Sequence, residues 1–301
     1  MTTPVLFDLP GPKARARARI GTGVGSLLIL GLLAIVLFRL GGNGQLDGQR
    51  WAVLFDARTG VPQTLGRTLV NTLEVAAVGM VVATVLGLLL AVGRLSEHRA
   101  VRWLVGVYIE FFRAIPLLVV IFALYFLLPK YGIRLSPFQA LTGGLVLYNS
   151  AVLAEIFRAG ILSIDKGQSE AAFGVGMRKS QVMVLILLSQ ATRRMLPVLI
   201  AQLVVLLKDS SLGFIIGYFE LLRGARSLVE FFTPRFGSEY TFQLYVAAGL
   251  IYIIVNVLLS QLAKYVEKRT RRSAKAAAAM TPVGLPVDVE MGGGGGKASP
   301  V

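Results

Sequence analysis

Residues 75–92 read VAAVGMVVATVLGLLLAV, a run with no charged side chain, no proline and a single hydroxyl. A helix needs about 20 predominantly apolar residues to cross the roughly 30 Å hydrocarbon layer of a bilayer. Working outward from this run, four more stretches lack any charge: 20–38, 135–154, 242–263 and 114–129, the last extended on its N-terminal side by 103–109. Only a helix or a closed barrel satisfies its own backbone in lipid, and runs of this length are helical rather than strand-like. The composition agrees. Of 301 residues, 55% are hydrophobic and 16% charged, against about 25% charged in ordinary soluble domains, and the mean hydropathy is +0.70.

A sixth apolar run, 182–207, is interrupted by Arg193 and Arg194. Two arginines at the middle of a span cost on the order of 5–7 kcal/mol. A register of 195–217 avoids that cost and leaves Lys208 and Asp209 inside the span, facing protein. The expected fold is therefore an all-α membrane protein with six crossings, and both termini lie on one side. Twenty of the 31 Lys and Arg fall on the side of the termini, which by the positive-inside rule is the cytoplasm. Residues 1–19 form a basic cytoplasmic segment and 20–40 an uncleaved first helix. The Ala-, Gly- and Pro-rich tail, 268–301, is expected to be disordered.

Composition also removes whole classes of function. Lys and Arg outnumber Asp and Glu by 31 to 16, yet too little polar surface remains for a nucleic-acid reader. The chain has no cysteine and one histidine, His98, so thiolate metal sites and His-based catalytic centres are not expected. No G-x-x-x-x-G-K-[ST] occurs; the Gly-rich run near the C-terminus ends in Lys297-Ala298. No cofactor, metal site or catalytic residue is expected, and the chain should not hydrolyse ATP by the phosphate-loop route.

Between two apolar runs lies RAGILSIDKGQSEAAFGVGMRKSQ, residues 158–181, more patterned than a connection requires. It predicts a short helix from Gln168 through Phe173, a break at Gly174 or Gly176, and a second helix entering the next span, since glycine accepts the positive φ that redirects a chain. Glu170-Ala171-Ala172, three residues, Gly176, nine residues, then Ile186-x-Leu188 resembles the EAA loop of bacterial ABC importer permeases. Leu188-Ser189 stands where that family has Leu-Pro. Three further segments are similar to the polar amino acid uptake permeases: YIEFFRAIPLLVVIFALYF at 108–126, NSAVLAEIFRAGI at 149–161, and LLKDSSL at 206–212 followed by Glu220-Leu221.

The resemblance covers about 64–267 and implies an ABC importer permease fold, a five-span core to which the first helix is an addition. It implies that the loop at about 160–181, through Glu170, Ala171, Ala172 and Gly176, docks on separate cytoplasmic ATPase subunits. It further implies an extracytoplasmic solute-binding protein, a second permease chain and a polar amino acid as substrate, in a bacterial plasma membrane. A slight basic excess in the outer segments leans toward glutamate, with glutamine, arginine and histidine left open.

Ionisable residues within spans are functional candidates by default. Glu155 and Arg158 share a helix face and are expected to pair; Glu110 and Arg113 have the same spacing and form either an interfacial pair or, with Pro116 placed to kink the helix that follows, a hinge of the translocation path. Lys208 and Asp209 point about 100° apart and cannot serve one another on one face; an ammonium and a carboxylate there suit a zwitterion. Glu110, Arg113, Asn149, Glu155, Lys208 and Asp209 are the expected path-lining residues. A secondary transporter driven by an ion gradient is the alternative, although no second copy of the 150–212 pattern occurs in the first half.

Overall fold

The stretch that opens the sequence argument packs through its smallest residues. Ala76, Gly79, Ala83, Gly87 and Ala91 are buried and recur every three or four positions, so they line one face of a helix. That stripe lies against the helix at 137–162. A Cβ on Gly87 would stand 2.8 Å from the Leu153 Cβ and 3.0 Å from the Ser150 carbonyl. In lipid no hydrophobic force drives helices together, so close backbone approach through small residues does.

The computed structural model describes residues 11–279. Among them every regular element is helical: α1 Pro12–Gly42, α2 Val61–Arg94, α3 Arg99–Ala114, α4 Leu117–Tyr131, α5 Pro137–Leu162, α6 Lys166–Gly174, α7 Lys179–Phe214, α8 Leu221–Phe236 and α9 Thr241–Ala279. A short helix, Gly48–Ala52, and a single turn, Ala57–Thr59, join α1 to α2. Helix starts carry local signals. Ser136 and Gln139 form a reciprocal capping box around Pro137 at the start of α5, satisfying amides that have no intrahelical partner.

Five single helices, α1, α2, α5, α7 and α9, are long and apolar enough to cross a membrane. The sixth expected crossing, 103–129, is not one helix: α3 and α4 meet at 102° across Ile115–Pro116. The residue before a proline is pushed to extended backbone and the proline lacks a donor; Ile115 sits at φ −92°, ψ 135°. The sequence predicted a kink, and the chain makes a full corner. In α7 the turn widens over Val182–Leu188, and Pro197 lies inside the helix. Arg194 Nη1 donates to the Ser163 carbonyl at 2.8 Å, at the end of α5.

Two boundaries differ from expectation. The basic residues Lys13 to Arg19 belong to α1 itself, because Pro12 starts the helix ahead of them. At the other end α9 runs on to Ala279, past the start of the expected disordered tail; residues 280–301, which hold the Gly-rich run, lie outside the described residues. Helix α8 was not foreseen. Its Leu221, Ala225, Leu228 and Phe232 recur at helical spacing and pack with Val61 and Leu65 of α2 and Leu244 and Ala248 of α9.

Candidate functional site

The loop between α5 and α7 is a built structure. The Asp165 carboxylate accepts the Gly167 N–H at 2.7 Å and starts α6 at Lys166, two residues before the predicted start, because an N-cap aspartate satisfies a free amide. At the other end Gly176 takes φ +82°, its N–H donates to the Phe173 carbonyl, and the Met177 N–H donates to the Ala172 carbonyl. Of the two glycines considered, the helix stop falls at Gly176, where a β-carbon would be strained.

Three braces hold this loop. Gln190 of α7 donates to Gln168 at 3.1 Å, Arg194 donates to Ser163, and Lys179 forms an ion pair with Glu97 of the α2–α3 connection. The Lys179 ammonium holds the Glu97 carboxyl below its usual range. Where α5 leaves for the loop, a Cβ on Gly160 would reach 2.5 Å from the Met195 Cγ, so glycine is what lets α7 lie so close.

The four loop residues singled out by sequence divide. Glu170, Ala171 and Gly176 are exposed, but Ala172 is only 7% exposed and turns towards its own bundle. The expectation that both alanines admit a partner meets a division in the structure: α6 rotates 100° per residue, so 171 faces out while 172 faces in. The apolar surface offered outward is instead Phe173, 44% exposed, and Val175, 79% exposed. Sequence reasoning passed over both, although their place beside Glu170 and Gly176 was the available signal.

The path candidates also separate. Arg158 donates from Nε and Nη2 to Glu155 Oε2 at 3.0 and 2.9 Å, as its spacing predicts. Glu110 pairs with Arg94 at 2.8 Å, not with Arg113, which is exposed. The reason lies in α3 at Gly106: the Arg94 guanidinium crosses there, so close that a Cβ would sit 1.6 Å from Nη1, and it also donates to the Arg102 carbonyl. Asn149 is fully buried, donating to the Leu145 carbonyl at 2.9 Å and accepting from Gln202 Nε2 of α7 at 2.8 Å.

Lys208 is exposed and lines a cleft of about 610 Å³ between α7, α8 and α9, with Ser211, Tyr245, Gly249 and Asn256. Asn256 Nδ2 donates to the Tyr252 carbonyl, while its Oδ1 is buried without a partner. Asp209 turns away from this cleft and is half-buried.

One buried network had no counterpart in the sequence reading. Glu220 is 0% exposed; its carboxylate accepts the N–H groups of Leu222 and Arg223 at 2.8 and 2.7 Å and the Tyr252 hydroxyl at 2.7 Å. Burial pushes this carboxyl up, against the pull of those donors. Thr72 accepts the Leu221 N–H, and Asn71 donates to the Phe219 carbonyl, so α2, α8 and α9 meet at this point. Among the described residues no group of three His, Asp or Glu could hold a metal ion.

A family model for the binding-protein-dependent transport system inner membrane component matches residues 83–272. The chain belongs to this family. It is 41% identical over 248 residues to the glutamate transport system permease protein GluD of Corynebacterium glutamicum, covering 81% of this chain and 88% of that one. It is 36% identical over 210 residues to the glutamate/aspartate import permease protein GltK of Escherichia coli O157:H7, covering 67% and 91%. Among solved structures it superposes with a TM-score of 0.64 and 30% identity on a chain of an amino acid ABC transporter with histidines, over 71% of this chain and 97% of that one. The MetNI methionine ABC transporter, at 20% identity and TM-score 0.56, shares the fold. This permease is thus an all-α, multi-pass membrane subunit with the ABC importer fold.

Proposed function

We propose that this permease forms the translocation path of an ATP-driven importer for acidic amino acids, with its termini and the 163–181 loop in the cytoplasm. Separate ATPase subunits seat on Glu170, Ala171, Phe173, Val175 and Gly176. A solute-binding protein delivers substrate at the opposite end, and a second permease chain closes the path. The shared transport core is the 64–267 segment, with α1 as an addition.

The observation that carries the coupling role is the bracing of the loop to its neighbours by Gln190–Gln168, Arg194–Ser163 and Lys179–Glu97. A surface helix braced to α2–α3, α5 and α7 transmits displacement, whereas a floppy one would absorb it. Its outward edge offers one charge, two apolar side chains and two small residues, the make-up of a compact docking patch. The ATPase drives the cycle only by binding differently to the two access states, and the braces link its grip to the span carrying Lys208. The charged substrate is favoured by Lys208, which offers an ammonium to a carboxylate in the cleft, and by the glutamate and glutamate/aspartate transport named for two relatives. Asp209, half-buried one position on, stays a path candidate from the rotated face.

Crosslinking from a single cysteine tests the docking surface, since the chain has none of its own. Ala171→Cys should capture an ATPase subunit in the assembled complex, and the inward Ala172→Cys should not. Capture from neither position, or uptake that continues on an ion gradient after ATP depletion, would overturn the reading.

A further inference from the structure

The start of α8 is tied to two other helices around one side chain. A helix that begins away from water must find acceptors for its first four amides, and here all four are met. The Leu221 N–H donates to Thr72 Oγ1 of α2 at 3.0 Å, those of Leu222 and Arg223 to the two carboxylate oxygens of Glu220 at 2.8 and 2.7 Å, and that of Gly224 to the Glu220 carbonyl at 2.8 Å. A Cβ on Gly224 would lie 2.6 Å from the Thr68 Cγ2, so this first turn sits directly on α2. The chain arrives from α7 through Gly217 at φ +80°, a left-handed turn that breaks the helix before it. Contacts at its own start therefore set the direction of α8.

Glu220 does more than cap. It is the only Asp, Glu, Lys or Arg fully buried among the described residues, and no ion pair among them includes it. A side chain buried within one chain stays buried in any assembly of that chain. A cap needs only Ser, Thr, Asn or Asp, and buried ionic groups replaced by well-packed apolar ones often cost no stability. What the longer carboxylate adds is reach: Oε2 also accepts the Tyr252 hydroxyl of α9 at 2.7 Å. Two amides at the positive end of a helix and a phenol hold the charge without a cation. Leu222 and Tyr252, the two donors to Oε2, both line the cleft that holds Lys208. The carboxylate thus joins the α8 side of that wall to the α9 side.

We propose that Glu220 is a positioning residue for transport: through Tyr252 it fastens the start of α8 to α9 behind the Lys208 cleft, so that the two helices change position together when the path changes access. The inference rests on the transport reading above and adds to it a residue that touches neither substrate nor ATPase. Cutting the joint lets the ATPase cycle while the cleft wall follows incompletely. Uptake per ATP hydrolysed then falls by about threefold or more, within the range for residues that carry coupling between distant sites.

The full permease, assembled in liposomes with its ATPase subunits and solute-binding protein, is assayed for ATP hydrolysis and for uptake of labelled glutamate, well below the unfolding midpoint of each variant. Tyr252→Phe keeps the ring and the α8 cap and removes only the joint. It should lower uptake per ATP hydrolysed about threefold or more while hydrolysis stays close to the parent's. Glu220→Asp keeps a capping carboxylate that is one methylene short of Tyr252 and should match Tyr252→Phe; the two together should be no worse than either alone, since they cut one link. Tyr252→Phe decides the matter even if Glu220→Asp folds poorly. A merely structural role would instead lower uptake and hydrolysis together, in step with the amount of folded complex. A Tyr252→Phe complex with the parent's ratio, or additive losses in the double variant, overturns the proposal and leaves the transport reading standing. Absence of ATP-driven glutamate uptake in the parent overturns the transport reading itself, and the inference with it.

Discussion

Gly87→Ala, set beside Gly79→Ala, measures how closely α2 and α5 are held. At Gly87 the added methyl would meet the Leu153 Cβ at 2.8 Å, the Ser150 carbonyl at 3.0 Å and the Ala154 nitrogen at 3.3 Å. Carbon atoms rest at about 3.5–4.0 Å, and two of these neighbours are backbone, so α5 itself must move. Overpacking of this kind costs about 1–3 kcal/mol. At Gly79 the nearest atoms are side-chain carbons of Leu206 and Leu145 at 3.6 and 3.7 Å, ordinary contact that requires no movement. Both substitutions share one helix and the same change in helix propensity, up to about 1 kcal/mol. That contribution cancels in the comparison. Gly87→Ala should thus be less stable than Gly79→Ala by about 1–3 kcal/mol, or on the order of 2–10 °C in midpoint. Thermal loss of the monodisperse peak in size-exclusion fluorescence reads the difference. A Gly87→Ala protein as stable as Gly79→Ala would refute the close α2–α5 approach on which the rest of the bundle is arranged.

Gln202→Leu should destabilise the permease by about 1–3 kcal/mol, because Asn149 Oδ1 is left buried without a donor; the Asn149→Leu, Gln202→Leu pair should recover most of the loss in the same thermal assay. Glu170→Arg should impair uptake and leave membrane insertion intact, and normal uptake would remove the coupling role of the loop. Because Lys179 lowers the Glu97 carboxyl, their tether is present above the ordinary carboxylate range and is lost as pH falls through the lowered value. Amide-exchange protection over 163–181 in the full chain, taken relative to the intrinsic rate at each pH, should therefore fall on acidification, and Lys179→Met should lower it at neutral pH and flatten its pH response. Gly106→Val should displace the Arg94 guanidinium and mimic Glu110→Gln in uptake, with neither change altering expression; unequal effects would show that Arg94 does not act through Glu110.

Local chemistry was legible without coordinates. Charge-free runs located the spans, since lipid cannot hydrogen-bond a backbone, and the Glu155–Arg158 pair follows from a three-residue spacing on one helix. The loop pattern around Gly176 carried the family before any contact was known, because a left-handed glycine ends a helix by short-range geometry. Partners separated in sequence were another matter. Glu110 took Arg94 in preference to its neighbour Arg113 because α2 ends beside α3 and Gly106 leaves a passage between them. Ala172 turned inward because α7 packs beneath α6, and α8 formed against α2 and α9 around a buried Glu220 whose donors include Tyr252, 32 positions away. Sequence thus set what each segment must do alone in lipid, while choices among competing partners waited on how close the backbones came, a distance fixed by the whole bundle at once.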